Sequence, residues 1–399
     1  MEDFRRGLHP SRFIRHSDGM DIEFLLCDTR ALRIRFERYP DSLHASQKHY
    51  VPPFPGSVAK FLAPDSNFNK RHGRIFPFLA LRNGKPVGRI AAIINRTHNA
   101  YHKDHVGFFG FFECENDPLL AKALFDKVES ILQAEGLDAL RGPYNPGIND
   151  ECGLLVEGFD RPPCVGLTWN PEYYVQLVLG AGCERRMASY GYNLPLHRLP
   201  PPPRLKPLAE RVAKRSKTRL RPINLQSLEQ DLEIIREVYN ATLERNWGFV
   251  PIEKEDLASA ADEFRAIAYP EMMLIAEQDG VNAGVALTIP NINIHLACLR
   301  KTPWLLRPLH FLYLLKTRKL RQGRQVVYGI APRFRNNGLH AWLTYEQFLC
   351  AQRCIDNAEL GWIQEENTEV MELSELIGGY KIHQWDLYEK AINGRTSGQ

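Results

Sequence analysis

The sequence lacks any uncharged apolar run of roughly 18 residues, which excludes a membrane-spanning helix. It has no CxxC pair. Its eight cysteines are scattered, so reduced thiols and a cytoplasmic setting are expected. Cys350 and Cys354 stand one helical turn apart, but no histidine lies at ligand spacing; packing is their expected role and no metal site is expected. Strong charge of either sign is missing too. A formal net charge of +4, with no zinc finger or other nucleic-acid module, points away from a nucleic-acid partner. The opening "MEDFRRGLHPSRFIRHSDG" is basic without an apolar core, so it reads as neither signal nor anchor.

What is present fits two α/β domains. The chain has 399 residues, 44% of them hydrophobic and 25% charged, and domains commonly run to about 100–200 residues. The strongest punctuation is Pro200–Pro203, a stiff polyproline connector. It divides a basic tail (1–17), a first unit (18–194), a linker (195–205) and a second unit (206–399). In the first unit "MDIEFLLC" reads as a strand, and Asn83-Gly84 turns a hairpin. "DHVGFFGFFECE" is a further strand. The helix after it has Asp117 as N-cap, Pro118 in its first turn and Gly136 past its end. Leu120, Leu124, Val128 and Ile131 form its apolar stripe. The second unit repeats the order strand, helix, hairpin (at Asp279-Gly280), strand, helix, strand. A duplicated mixed-sheet unit explains this better than one large sheet.

The segment "GIAPRFRNNGLH" (329–340) joins the strand "QVVY" to a helix. The first N–H groups of a helix have no internal partner and sit at its positive end. Two arginines, two asparagines and a glycine there can cradle an anion, or form an ordinary turn.

The order of elements, with Arg335-Asn336-Asn337-Gly338-Leu339-His340 at that turn, resembles the GNAT acyltransferase fold. The signature of that family ends in Gly or Ala, so His340 departs from it. "RGPYNPGINDECGLLVEGFDRPPCVGLTWNPEYY" (141–174), "NWGFVP" (246–251) and "WIQEEN…LIGGYKIHQWDLYEKAI" (362–392) resemble a family of bacterial tandem GNAT-like proteins that includes ceramide synthases. The corresponding turn of the first unit carries Glu113, Glu115 and Asp117, so that unit is expected to lack the pyrophosphate loop and to complete the acceptor site.

The resemblance implies no tightly bound cofactor and two co-substrates: an acyl thioester on coenzyme A or acyl carrier protein, and a primary amine. The cradle would be Arg333, Arg335, Asn336, Asn337, Gly338, Leu339 and His340, with Asn367 nearby. The reaction needs a base. Glu365 and Glu366 lie at a strand end, where alternation turns them to opposite faces. Asp150 and Glu151 form a second pair on a glycine-flanked loop. The family's thiolate acid is a tyrosine; Ser374 holds that position here, and Tyr380 is close enough in sequence to substitute. His295, in a strand-like run, is expected to pack in the core. Asn246, Trp247 and Phe249 read either as an acyl-channel wall or as a plug under a loop.

An insertion at 300–325 joins Trp304, Leu305, Leu306, Leu309, Phe311, Leu312, Tyr313, Leu314 and Leu315 to Lys316, Arg318, Lys319, Arg321 and Arg324. It suits a helix lying on anionic lipid at the inner membrane face, with the basic segment 204–221 adding to it; packing of both on the core is the alternative. The expected activity is transfer of an acyl group to a sphingoid-type amine. Acetylation of a small soluble amine, and acyl-CoA binding without catalysis, are the other readings.

Overall fold

The computed structural model describes residues 13–15 and 21–392. Its first half contains strands β1 (Phe13–Arg15), β2 (Asp21–Leu26), β3 (Gly73–Arg82), β4 (Lys85–Asn95) and β5 (Val106–Cys114). They are followed by β6 (Ala139–Gly142), β7 (Tyr144–Asn145), β8 (Glu151–Cys152), β9 (Leu154–Glu157) and β10 (Glu184–Leu194). The helices of this half are α1 (Arg30–Leu43), α2 (Ser57–Phe61), α3 (Asn67–Arg71), α4 (Arg96–His102), α5 (Pro118–Ala134) and α6 (Tyr173–Gly180).

After the proline segment come α7 (Lys206–Arg215), β11 (Thr218–Pro222), α8 (Leu228–Leu243), α9 (Lys254–Ile267), β12 (Met273–Gln278) and β13 (Val281–Pro290). Then follow α10 (Asn293–Cys298), α11 (Arg307–Thr317), β14 (Gln322–Ile330) and α12 (Leu339–Cys354). The chain ends with β15 (Asn357–Gln364), α13 (Thr368–Leu376) and β16 (Tyr380–Ala391). Most of the tail 1–17 lies outside the described residues.

Local chemistry sets these elements as expected. Asn83 (φ 52°) with Gly84 (φ 72°), and Asp279 (φ 51°) with Gly280 (φ 75°), make two-residue turns whose left-handed backbone matches strand twist. Asp117 caps α5, Pro118 opens it and Gly136 (φ 75°) follows its end. The α5 stripe is buried with Phe78, Ile90 and Ala92 of the sheet, each large side chain stabilising by roughly 1.5–3 kcal/mol.

The sheet is one continuous surface of 14 strands, ordered β1-β2-β3-β4-β5-β6-β16-β10-β15-β14-β13-β12-β11, with β9 against β16. Both halves keep the repeated order of elements, but they share this sheet, which differs from the expected pair of separate units. The reason is an exchange of last strands. β16 pairs with β6 of the first half, and β10 pairs with β15 of the second. β10 and β16 pair with each other, from Glu184↔Glu389 to Asn193↔Tyr380.

Two local expectations change. The run around His295 is helix α10, not a strand: Ile292, Leu296 and Leu299 repeat at helical spacing, and short apolar runs fit either period. His295 is nonetheless buried, edge-on to Phe311. The insertion is helical over α11, and its last residues, from Gln322, belong to β14.

Candidate active site

β14 and β15 run parallel and pair only from Gln322↔Asn357 to Gln325↔Leu360. Beyond that they part, while their outer edges stay paired with β13 and β10. The backbone groups facing the gap have no strand partner, so the gap is a natural site for an extended polar ligand. Arg324 sits at its base. Its Nε donates to the Gly361 carbonyl at 2.9 Å, its Nη1 donates to the Val165 carbonyl at 2.9 Å, and its guanidinium lies 4.8 Å from the Trp362 ring centre.

A cavity of about 150 Å³ lies on the side of the gap bounded by α12 and α13. Thr344, Gln347, Asn367, Val370 and Ser374 are among its walls. A larger cavity, about 590 Å³, has walls from both halves: Tyr239 and Phe264 from α8 and α9, Trp247 and Phe249 from the loop between them, and Asp150 and Glu151 from the first half. Leu243, Asn246, Val326, Val327, Trp362 and Gln364 border both cavities. The two therefore adjoin where the strands part. Asn246, Trp247 and Phe249 line this cavity.

The turn at the start of α12 is open. Pro332–Phe334 form a single 3-10 turn, and Gly338 precedes the helix with φ 81°. A Cβ at Gly338 would come within 2.6 Å of Val212 Cγ2, so helix packing and backbone geometry both require glycine. Asn337 Oδ1 accepts from the Leu339 amide at 2.9 Å. Among the described residues the amides of Asn336, Asn337, Gly338 and His340 donate to no protein acceptor. Arg333, Arg335, Asn336, Asn337 and His340 are exposed. Arg335 is steadied by donating to the Ile330 and Thr242 carbonyls at 3.2 and 3.3 Å. The His340 ring stands edge-on to Tyr328, at 5.7 Å between centres. The basic helix α7 packs on α12 beside this turn, through Ala209 and the preceding residue Leu205.

The carboxylates separate clearly. β7 and β8 form a small hairpin that holds the loop carrying Asp150. Asn149 of that loop accepts from Tyr239 Oη at 2.7 Å and donates to the Val250 carbonyl at 2.9 Å, which ties it to the second half. Asp150 and Glu151 are open to the cavity but enclosed by protein beyond it. Burial pushes the Asp150 carboxyl up to about 7, with Asp256 and Glu151 adding to the rise and Gly147 and His72 opposing it. Burial raises Glu151 as well, against the pull of Arg324 and Arg89.

Glu365, by contrast, pairs with Arg185 and accepts from the Ala188 amide at 3.1 Å. Glu366 is exposed, and neither residue borders the two cavities. Tyr380 is exposed and bonded to Asn193 at 3.0 Å, also away from both cavities. Ser374 borders the smaller cavity, but its hydroxyl donates to the Val370 carbonyl at 2.7 Å. Arg324 was read from sequence only as part of a basic segment. A lone arginine in a strand gives no signal of its place at a fork.

Strand order and the open fork fix the fold; sequence identity fixes the relationship. Over 362 residues the chain is 30% identical to Protein YghO of Escherichia coli (strain K12), covering 90% of this chain and 92% of that protein. The chain belongs to one family with YghO, and its fold is that of a tandem GNAT protein. It is also 27% identical over 385 residues to a bacterial ceramide synthase of Caulobacter vibrioides (strain NA1000 / CB15N), covering 94% of this chain and 99% of that one. A tandem GNAT protein from the clavulanic acid biosynthesis pathway superposes with a TM-score of 0.56 at 12% identity, over 94% of this chain and 100% of that chain. No family model matches the chain.

Proposed function

We propose that this GNAT protein is an N-acyltransferase that moves an acyl group from acyl-CoA, or acyl carrier protein, to the amine of a long-chain, sphingoid-type acceptor. The observation that carries the proposal is the fork between β14 and β15. It joins a cavity walled by α12, the helix that the open glycine turn begins, to a cavity that holds two carboxylates and no ion pair to either among the described residues. In this reading the diphosphate rests on the amides of Asn336 to His340, with Arg333 and Arg335 adding charge. The thioester arm follows the unpaired strand edges through the smaller cavity.

The amine enters the larger cavity as an ammonium ion, attracted by Asp150 and Glu151. Asp150 takes its proton directly or through water. The neutral nitrogen then attacks the thioester carbonyl carbon, a C–N bond forms, the C–S bond breaks and the thiolate leaves with the electron pair. A second proton passes from nitrogen to water as the amide forms. The raised pKa of Asp150 suits a base working near neutrality. With the Ser374 hydroxyl bonded within its helix, the thiolate takes its proton from water.

The ceramide synthase relative and the largely apolar walls of the larger cavity support a long-chain acceptor. Contact with an anionic membrane through residues 300–325, from the cytoplasmic side, would bring such an acceptor to the site but stands independently of the reaction. The test is thiol release from acyl donors of several chain lengths against a panel of amines. Release with long-chain acyl-CoA and a sphingoid amine is expected. Release confined to acetyl-CoA with a soluble amine would replace the acceptor, and no release with any pair would remove the enzyme reading.

A further inference from the structure

Helix α11 is apolar on two sides. Phe311 and Leu314 face inward and pack with Leu296 and Leu299. Leu305 before the helix, and Leu309, Leu312 and Tyr313 on its other face, are exposed by 79, 67, 54 and 60%. A surface helix ordinarily has one apolar stripe, facing the core. A second, exposed stripe marks an interaction surface. Around it stand Lys301, Lys316, Arg318 and Lys319, all exposed, and no Asp or Glu occurs from residue 280 to residue 345. Trp304 borders the stripe, with the Arg38 guanidinium 5.8 Å from its ring centre.

The inner side of α11 backs a third cavity, of about 420 Å³. Val51, Phe54, Val58, Ile292 and Leu296 are among its walls. The Phe54 ring stands edge-on to Phe311 at 5.3 Å, so the inner side of α11 backs that wall. At its other end the cavity shares Phe61, Asn145, Glu151 and Gly166 with the carboxylate-bearing cavity. A passage thus runs from behind α11 to the Glu151 carboxylate, apolar at the α11 end and joined by Arg89, Glu113 and Asn170 farther along.

We infer that the outer face of α11 docks on an anionic bilayer and that the third cavity conducts the alkyl chain of the amine from that bilayer to Asp150 and Glu151. The conduction rests on the acyltransferase reading; the docking does not. Leucines with aromatic residues at their margin suit the upper acyl region of a bilayer, and the basic rim suits its headgroups. A second copy of the chain fits poorly, because a two-fold contact would set the basic rim against itself.

The test uses the full chain with phosphatidylcholine vesicles, with and without phosphatidylglycerol. Binding is expected on the anionic vesicles and should weaken with salt. Joint Leu305→Ser, Leu309→Ser and Leu312→Ser changes should lower it about tenfold or more. Joint Lys316→Gln, Arg318→Gln and Lys319→Gln changes should lower it about fivefold and erase the preference for phosphatidylglycerol. All these side chains are exposed, and an unchanged melting curve checks the fold. Equal vesicle binding by the variants, or a lost dimer with vesicle binding intact, overturns the docking.

For the passage, Val58→Trp should lower the ratio of long-chain to short-chain amine turnover about tenfold, as loss of an apolar tail site would. An unchanged ratio overturns the passage. Absence of turnover with every amine would instead remove the enzyme reading and the passage together, leaving the vesicle result as the test of docking.

Discussion

The same strand-to-helix corner occurs twice in this chain, and only one copy is open to a ligand. In the first half the α5 amides of Leu119 and Leu120 donate to Asp117 Oδ1 at 3.1 and 3.2 Å, and Arg82 pairs with the same carboxylate at 2.7 Å. In the second half Gly338 offers no side chain, and several amides stay unclaimed among the described residues. The forks differ in the same way. β5 and β6 also part after three paired residues, but Asn145 Oδ1 fills the opening, accepting from the Phe111 amide at 2.6 Å. A Cβ at Gly110 would lie 1.7 Å from the Tyr144 carbonyl oxygen. The acidic corner was expected to repel a diphosphate by charge. Yet Glu113 is bridged by His44 at 2.6 Å and Arg89 at 3.3 Å. The first corner is closed because its amides and its gap are already occupied. A helix N-terminus serves either the protein's own carboxylate or a ligand's phosphate.

The largest way to break the contrast is Gly338→Glu. It puts a carboxylate against the free amides and a side chain at φ 81°, where Val212 leaves no room. A unit charge a few ångströms from a diphosphate costs about 1–4 kcal/mol, and the steric conflict adds to this. Coenzyme binding measured by calorimetry should fall by more than about 100-fold. Unchanged affinity would show that the turn holds no phosphate. Circular dichroism separates lost binding from lost fold.

Next in size is Asp150→Asn. Asp150 must be ionised to accept a proton, so the rate should rise with pH through about 7 and be lost below it. The amide variant should lower kcat by about 100- to 10,000-fold and remove that limb of the pH profile. Stability should move the opposite way. The folded carboxyl keeps its proton to higher pH than the unfolded chain, whose value is near about 4. Its ionisation therefore opposes folding increasingly from about pH 4 to about pH 7, and fully above that. The variant should melt higher than the parent at about pH 8 and no higher near pH 3. A slower enzyme with an unchanged melting difference across that range would make Asp150 a binding group, not a base.

What was legible in the sequence was local. The hairpin turns at Asn83-Gly84 and Asp279-Gly280, the α5 cap and the open glycine turn follow from backbone and side-chain chemistry within a few residues. The Asp150-Glu151 pair was visible as loop carboxylates. Its cavity was not, because Tyr239, Trp247 and Phe264 come from distant segments. Glu365 looked equally suitable until Arg185, far away in sequence, took its charge. The exchange of β10 and β16 was hidden for the same reason. Either strand could have closed its own half, and only the pairing across the centre decides. His295 shows the limit for short apolar runs, where helix and strand periods both fit.

The smallest and sharpest test is Asp117→Ala in the first corner. It frees two α5 amides and leaves the Asn145 plug in place. Losing an N-cap costs about 1 kcal/mol, so the denaturant midpoint should drop modestly while coenzyme affinity at the second corner stays within about twofold. The stoichiometry of coenzyme binding decides the deeper question. One equivalent per chain, the value expected of the parent, would mean that freed amides are insufficient and that a fork open to the thioester arm is also required. Two equivalents would mean that a single carboxylate had kept the first corner silent, and the filled gap would lose its role. The variant removes the cap and its Arg82 pair together, and leaves the Asn145 plug and the second corner unchanged for the comparison.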